Sequence, residues 1–435
     1  MKQKFYSLWA ILFAFLVLAS CGPESSSQAP QTGPPPTQRE DQKPGRVNAD
    51  GQISKSTVVM ISIDGFRADY LKKYKPVTLT KLAQEGAQTD GGMIPSFPSL
   101  TFPNHVTLVT GRVPGHHGIV SNFFYDEKRN EAYQMSDNKA VNDGSWYRGE
   151  PLWVVAEKAG MLAATYFWVG SEANIENIPP TYVKPYDGKV SNAKRVDDVI
   201  DWLNLPEKQR PHFISLYFSD VDSMGHKYGP ESREVSDSIK EIDAALGRLV
   251  KMTDESPALD VQYVIVSDHG MLPIRETVQL GKITDLRDFH VLERGATTLI
   301  YSDDENRIQA AYEDLKKAER HFHVYRREQL PAQWQYDDPD RVGDLVVVAD
   351  PGTYLIADKS FSDAPPRVSN STHGWDPQIP EMRALFIARG SKIRTGVHIA
   401  EFQNIHVYPF VLQLLSLTTN VPFDGRAEVL QGILQ

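Results

Sequence analysis

Six side chains that commonly hold divalent cations recur where apolar runs end: Asp64, Asp222, His226, Asp268, His269 and His373. Asp222 and His226 stand four apart in DSMGH. Asp268 and His269 are neighbours in SDHGM, and His373 lies in the glycine-containing loop STHGWD. Three carboxylates and three imidazoles make a mixed oxygen and nitrogen donor set, suited to Zn²⁺ or a similar ion. Six side chains plus a bridging hydroxyl fit two ions better than one. Two ions roughly 3.5–4 Å apart clamp the attacking and leaving oxygens of an in-line displacement. Each residue alone has a plainer reading, an aspartate as a turn or helix cap and a histidine as a packed or surface group. It is their convergence on element ends that carries the metal reading.

In LTFPNHVTLVTG the hydroxyl of Thr101 stands just before Phe102, Pro103 and a helical run. A helix start exposes unpaired N–H groups and the positive end of the dipole, and proline is tolerated in the first turn. Thr101 is therefore either an N-cap or a nucleophile held against an anion. An unassisted threonine is a poor nucleophile, but a cation lowers the pKa of an oxygen bound to it. Asn122, in GIVSNFFYD, is either a turn residue or an amide donor to a non-bridging phosphate oxygen.

The elements that would bring these groups together follow from the patterning. TVVMISIDG reads as a buried parallel strand with Asp64 at its exit. PHFISLYFSDVD and VQYVIVSDHG repeat the pattern, and ALFIARG is a further buried strand. LTKLAQEGA, KRVDDVIDWLNL and SDSIKEIDAALGRLVKM read as helices between them. The alternation predicts a doubly wound α/β sheet, whose ligands bind beyond the carboxyl ends of the strands. From about residue 272 to 366 the rhythm changes. ATTLIYS and DLVVVADPGTYLI predict the strands of a small inserted α+β cap beside the site.

The 435 residues are 41% hydrophobic and 23% charged, an ordinary globular balance. A net charge of −10 argues against binding a nucleic-acid duplex. Residues 1–20, with Lys2, Lys4 and an apolar run, read as a secretory signal too short for a comfortable membrane span. Leu18-Ala19-Ser20-Cys21 resembles a bacterial lipobox, in which Cys21 is lipidated and becomes the new N-terminus. Cys21 is the sole cysteine of the chain, so no internal disulfide competes for it. Residues 21–56, rich in Pro, Ser and Gln, read as a disordered tether, and 57–435 as the catalytic domain. The expectation is a lipid-anchored protein of a bacterial cell envelope, periplasmic or on the cell surface.

SIDGFRADYL, SLTFPNHVTLVTGRVPGHHGIVSNFFYD, FWVGSEA, LYFSDVDSMGHKYGP, VSDHGM, THGWD and FQNIHVYPFVLQLL occur in that order. Together they resemble the nucleotide pyrophosphatase/phosphodiesterase family of the alkaline phosphatase superfamily, from about residue 57 onward. The resemblance implies an alkaline-phosphatase-like, mostly parallel sheet and two zinc ions. One ion would be held by Asp64, Thr101, Asp268 and His269, the other by Asp222, His226 and His373. It implies a covalent phospho-enzyme on Thr101, Asn122 on the phosphate, and Phe102, Tyr186 and Tyr217 around the nucleoside. Tyr186 and Tyr217 are matched by position relative to Asp222 and have core packing as their alternative. The acidic-acidic-proline that usually precedes the metal aspartate reads Ser219-Asp220-Val221 here.

The function expected is zinc-dependent hydrolysis of phosphodiester and pyrophosphate bonds in nucleotides, releasing nucleoside 5′-monophosphates. The rivals are a phospholipid-headgroup or phosphonate hydrolase of the same superfamily, and a non-catalytic nucleotide-binding lipoprotein. A sulfatase is disfavoured, since the chain has no Cys-x-Pro-x-Arg motif.

Overall fold

The computed structural model describes residues 45–53, 55–292, 295–357 and 368–435. The expected signal segment, Cys21 and most of the expected tether lie outside these residues. All described residues belong to one compact unit. Among them no helix is long and apolar enough to cross a membrane.

The centre is an eight-stranded sheet. Its spatial order is Val397–Ile399, Ala87–Thr89, Phe386–Arg389, Val261–Val266, Thr57–Ile63, Phe213–Phe218, Ala163–Tyr166 and Tyr182–Lys184. Thr57–Ile63 lies in the middle and pairs in parallel with both Phe213–Phe218 and Val261–Val266. Phe386–Arg389, expected only as a buried strand, runs antiparallel to both of its neighbours. Every residue of Thr57–Ile63 is buried. Val58 and Met60 join one apolar cluster, while Val59, Ile61 and Ile63 join another. Burial on both faces explains why the strand reads as a continuous apolar run rather than an alternating one.

The helices fall where their patterning puts them: Val77–Glu85, Asn192–Leu203 and Arg233–Asp254. The last two start on Ser191 and Ser232, whose hydroxyls accept from Lys194 and Val235 N–H groups. The cap is a separate antiparallel sheet in the order His290–Leu292, Thr297–Tyr301, Leu345–Ala349, Phe322–Arg326, with the helix Glu305–Lys317. Ile300, Ile308, Leu315, Leu345 and Val347 form its core. Several side-chain contacts fasten it to the main body, among them Tyr336 Oη donating to Val120 O at 2.8 Å. Arg341 Nε meets Asp126 Oδ2 at 2.8 Å in a buried ion pair, and Thr297 Oγ1 donates to Gly374 O at 2.9 Å, next to His373.

Candidate active site

Two parallel strands and one helix deliver the carboxylates. Asp64 follows Thr57–Ile63 directly, and Asp268 follows Val261–Val266 by two residues. Asp222 is not at a strand exit. It lies in the first turn of the helix Asp220–Tyr228, and His226 follows one turn later on the same face. The first strand comes very close to that helix. Gly65 has φ +66°, and a Cβ on it would stand 3.0 Å from both Cα and Cβ of Asp222. Glycine is needed there for space and for backbone conformation alike.

The six donors converge. His269 Nε2 lies 3.0 Å from Asp268 Oδ2 and 3.5 Å from Asp64 Oδ1. Asp222 Oδ1 lies 3.4 Å from His226 Nε2 and 3.6 Å from His373 Nε2. Two triads have ligand atoms all within 4.8 Å of one another, Asp64–Asp268–His269 and Asp222–His269–His373. His269 belongs to both, so the two expected ligand sets meet on this ring, which stacks on His373 at 3.6 Å between centroids.

The donor chemistry fits bound cations. Nδ1 of each of the three histidines faces a backbone carbonyl: Ser371 O for His226, Gly270 O for His269 and Ser99 O for His373, at 2.8–2.9 Å. Those contacts assign a proton to Nδ1 and turn each Nε2 inward. Although burial opposes it, the Asp268 charge raises the His269 imidazole, so a cation there would displace a proton from its Nε2. His373 Nε2 and His226 Nε2 then face each other at 3.2 Å, two acceptors with nothing between them to share. Asp64 Oδ1, Asp222 Oδ1 and Asp268 Oδ2 are buried without a hydrogen-bond partner. Orphaned buried carboxylate oxygens are costly. Among the described residues, the ion pairs of these three carboxylates are all with histidines. Burial, then the negative charges of Asp268 and Asp222, push the Asp64 carboxyl well above the usual range. Burial, with His269 and His226 beside it, holds the His373 imidazole well below its usual range. A cation among these atoms would relieve all of these conflicts at once.

Thr101 meets this cluster from the other side. It is the first residue of the helix Thr101–Thr110; the cap position is Leu100, and no side chain caps the start. Its hydroxyl instead stands 3.1 Å from His269 Nε2. Asn122 Oδ1 accepts the Phe102 N–H at 3.0 Å, which orients its amide NH₂ as the donor end. Phe102 is half-buried, with its ring 6.4 Å from Tyr133. Tyr186 is exposed and packs against Phe167 and Tyr217. No ring contact joins Phe102 to Tyr186 among the described residues. Tyr217, for which the sequence left substrate contact and core packing open, is buried, and its hydroxyl donates to Asp64 Oδ2 at 2.5 Å. Burial and the Asp64 charge push that phenol well above its usual range.

Three supporting residues escaped the sequence reading. Asn104 Oδ1 accepts from Ser96 N, and its amide donates to the carbonyls of Pro98 and Leu100, so it fixes the loop entering the helix. His105, wholly buried, bonds the Thr101 carbonyl at 2.9 Å and Ser62 Oγ at 2.8 Å, with Asp268 Oδ2 3.5 Å from its Nδ1. Burial holds this imidazole below its usual range. Ser267 Oγ accepts the Phe66 N–H. The spacing of Asn104 and His105, three and four residues after Thr101, is the one signal that could have flagged them.

The sequence model of the type I phosphodiesterase / nucleotide pyrophosphatase family matches residues 58–376. The chain is 34% identical over 401 residues to an uncharacterized pyrophosphatase/phosphodiesterase of Schizosaccharomyces pombe, covering 88% of this chain and 81% of that one. It is 34% identical over 390 residues to human ectonucleotide pyrophosphatase/phosphodiesterase family member 1, covering 87% of this chain and 42% of the human protein. The chain thus spans less than half the length of that relative. Its fold superimposes on murine ectonucleotide pyrophosphatase / phosphodiesterase 5 with a TM-score of 0.81 at 29% identity, over 87% of this chain and 100% of the murine one. The murine enzyme is also known as an inactive threonine-to-alanine variant in complex with AMP. With sequence and architecture in agreement over most of its length, the chain belongs to the type I phosphodiesterase / nucleotide pyrophosphatase family.

Proposed function

We propose that this protein hydrolyses nucleoside 5′-phosphodiesters and nucleotide pyrophosphate bonds with two zinc ions and a phospho-threonine intermediate on Thr101. The observation that carries the reading is the placement of Thr101. Its hydroxyl is uncommitted to capping and lies 3.1 Å from His269, the ring common to both donor triads. Zinc ions, when bound, supply Lewis acidity that offsets charge on the attacking and leaving oxygens.

The chain's own residues do the rest. Thr101 Oγ1 loses its proton and bonds to phosphorus on the side opposite the leaving oxygen; the bond to that oxygen breaks, and the leaving oxygen takes up a proton. Water then cleaves the phospho-threonine, which restores the hydroxyl and releases the 5′-monophosphate. Asn122, held by the Phe102 N–H, offers its amide hydrogens to a non-bridging oxygen. A neutral donor suits a diester, which carries a single negative charge. Phe102 and Tyr186 flank the base, with Tyr217 behind Tyr186. The AMP complex of the murine relative supports a nucleotide substrate.

A panel of dinucleotides, ATP, phosphocholine esters and phosphate monoesters tests the assignment. Nucleotide diesters and ATP should be cleaved to 5′-monophosphates, with monoesters much slower. A panel in which glycerophosphocholine outruns every nucleotide would reassign the substrate to lipid headgroups, and no turnover at all would favour a binding protein. We propose in addition that Cys21 carries a lipid anchor that holds the enzyme in a bacterial cell envelope. Wild type should fractionate with membranes and Cys21→Ser should not; membrane binding that survives the substitution would refute the anchor.

A further inference from the structure

The Asp64 carboxylate is divided between two surroundings. Its Oδ1 has no hydrogen-bond partner and lies 3.5 Å from His269 Nε2, inside the donor cluster. Its Oδ2 faces the other way and accepts the Tyr217 hydroxyl at 2.5 Å. Tyr217 is itself fixed from several sides. It sits on the strand next to that of Asp64, opposite Ser62, and the Asp64 N–H bonds the carbonyl of Phe218, the residue after it. Arg195 Nη1 donates to the Tyr217 carbonyl at 3.0 Å. The ring meets His105 edge-on at 5.2 Å and Tyr186 at 6.4 Å. Only 8% of Tyr217 is exposed, so solvent cannot readily replace its hydroxyl.

We propose that Tyr217 is a positioning residue whose hydroxyl fixes Asp64 with Oδ1 toward the cation cluster, while its ring supports Tyr186. One side chain would then join the metal half of the site to the nucleoside half. Carboxylate ligands are commonly oriented in this way by an outer hydrogen bond, which prepays the loss of rotational freedom on binding. The inference rests on the zinc reading above. It moves the Tyr217 hydroxyl from the substrate to the protein.

The test is Tyr217→Phe, which removes the hydroxyl and keeps the ring. Stripped protein is titrated with Zn²⁺ alone in competition with a chromophoric chelator. One of the two sites should weaken by about 10–100-fold, the range seen when outer-shell partners are removed. At saturating zinc, KM for a nucleoside diester should stay within about twofold of wild type, because the ring that supports Tyr186 remains. Asp64→Asn sets the ceiling. Adding Tyr217→Phe to it should weaken zinc no further, since the two changes act through one contact. Unchanged zinc affinity in Tyr217→Phe would overturn the proposal, whether KM rises (a substrate contact) or the zinc-saturated protein merely melts lower (a packing role). Losses that multiply in the double variant would overturn it too. If wild type binds no zinc, the metal reading falls and takes the proposal with it; if wild type binds two ions and Tyr217→Phe binds them equally well, only the proposal falls.

Discussion

Thr101→Ala separates a nucleophile from a structural hydroxyl, because the structure predicts a small effect on stability and a large one on turnover. The helix start does not depend on the side chain. Leu100 occupies the cap position, and its carbonyl accepts the Asn104 N–H at 3.1 Å. His105 holds the Thr101 carbonyl, which survives the substitution. What is lost is one half-buried contact to His269 at 3.1 Å. A hydrogen bond of that kind contributes about 0.5–1.5 kcal/mol net, and alanine's better helix propensity returns about 0.5 kcal/mol. The net change is about 1 kcal/mol or less, which in a domain of this size moves Tm by no more than about 3 °C. Turnover should instead fall at least about a thousandfold, or about 4 kcal/mol of transition-state stabilisation. Thr101→Ser keeps the reacting oxygen and should stay within about tenfold of wild type. The assay is steady-state cleavage of a chromogenic diester, with thermal denaturation of the same samples. Turnover of Thr101→Ala within tenfold of wild type would refute the nucleophile, and so would a loss that tracks a Tm fall of more than about 10 °C.

Two further outcomes are expected. Phe102→Ala and Tyr186→Ala should each raise KM for nucleotides, since base stacking contributes about 1–3 kcal/mol, yet leave KM for methyl p-nitrophenyl phosphate nearly unchanged; equal losses on both substrates would mean that the rings only pack. Burial and Arg426 hold the His406 imidazole down at about 4, so between pH 6.5 and 4 the unfolded chain binds a proton that the folded chain does not. Its contribution to stability is therefore full above about pH 6.5 and is lost as pH falls toward 4, with a slope of at most about 1.4 kcal/mol per pH unit. Chemical denaturation from pH 7 to 5 should show a shallower decline in His406→Gln than in wild type, and identical slopes would contradict the assignment.

The strands and their terminal acids were legible because burial on both faces leaves an unbroken apolar run, and the run stops where the chain meets the site. Asp64 and Asp268 are found that way. The Asp222–His226 pair was legible as spacing, but not as one helix face, because the apolar run Phe213–Phe218 made Asp222 read as a strand-exit acid although Ser219 and Asp220 offer a helix start. The role of Thr101 could not be read locally. A hydroxyl at the first helical position and one at the cap position look alike until the other partner is known, and His269 lies 168 residues away. The same holds for Tyr217 and Asp64, 153 apart, and for Arg341 and Asp126, 215 apart, which fasten the cap. Period and propensity are blind to such contacts. Asn104 and His105 were missed because each fits an ordinary helix, and only the fold turns them toward the loop and the strand Thr57–Ile63.

The inward-facing carboxylate oxygens and imidazole nitrogens are proposed to hold catalytic cations. Metal content of the purified protein, measured with turnover on the same samples before and after dialysis against a chelator, decides the matter. About two zinc ions per chain are expected, with loss of activity in step with their removal and recovery when Zn²⁺ is returned. Full turnover in a verified metal-free sample would contradict the proposal.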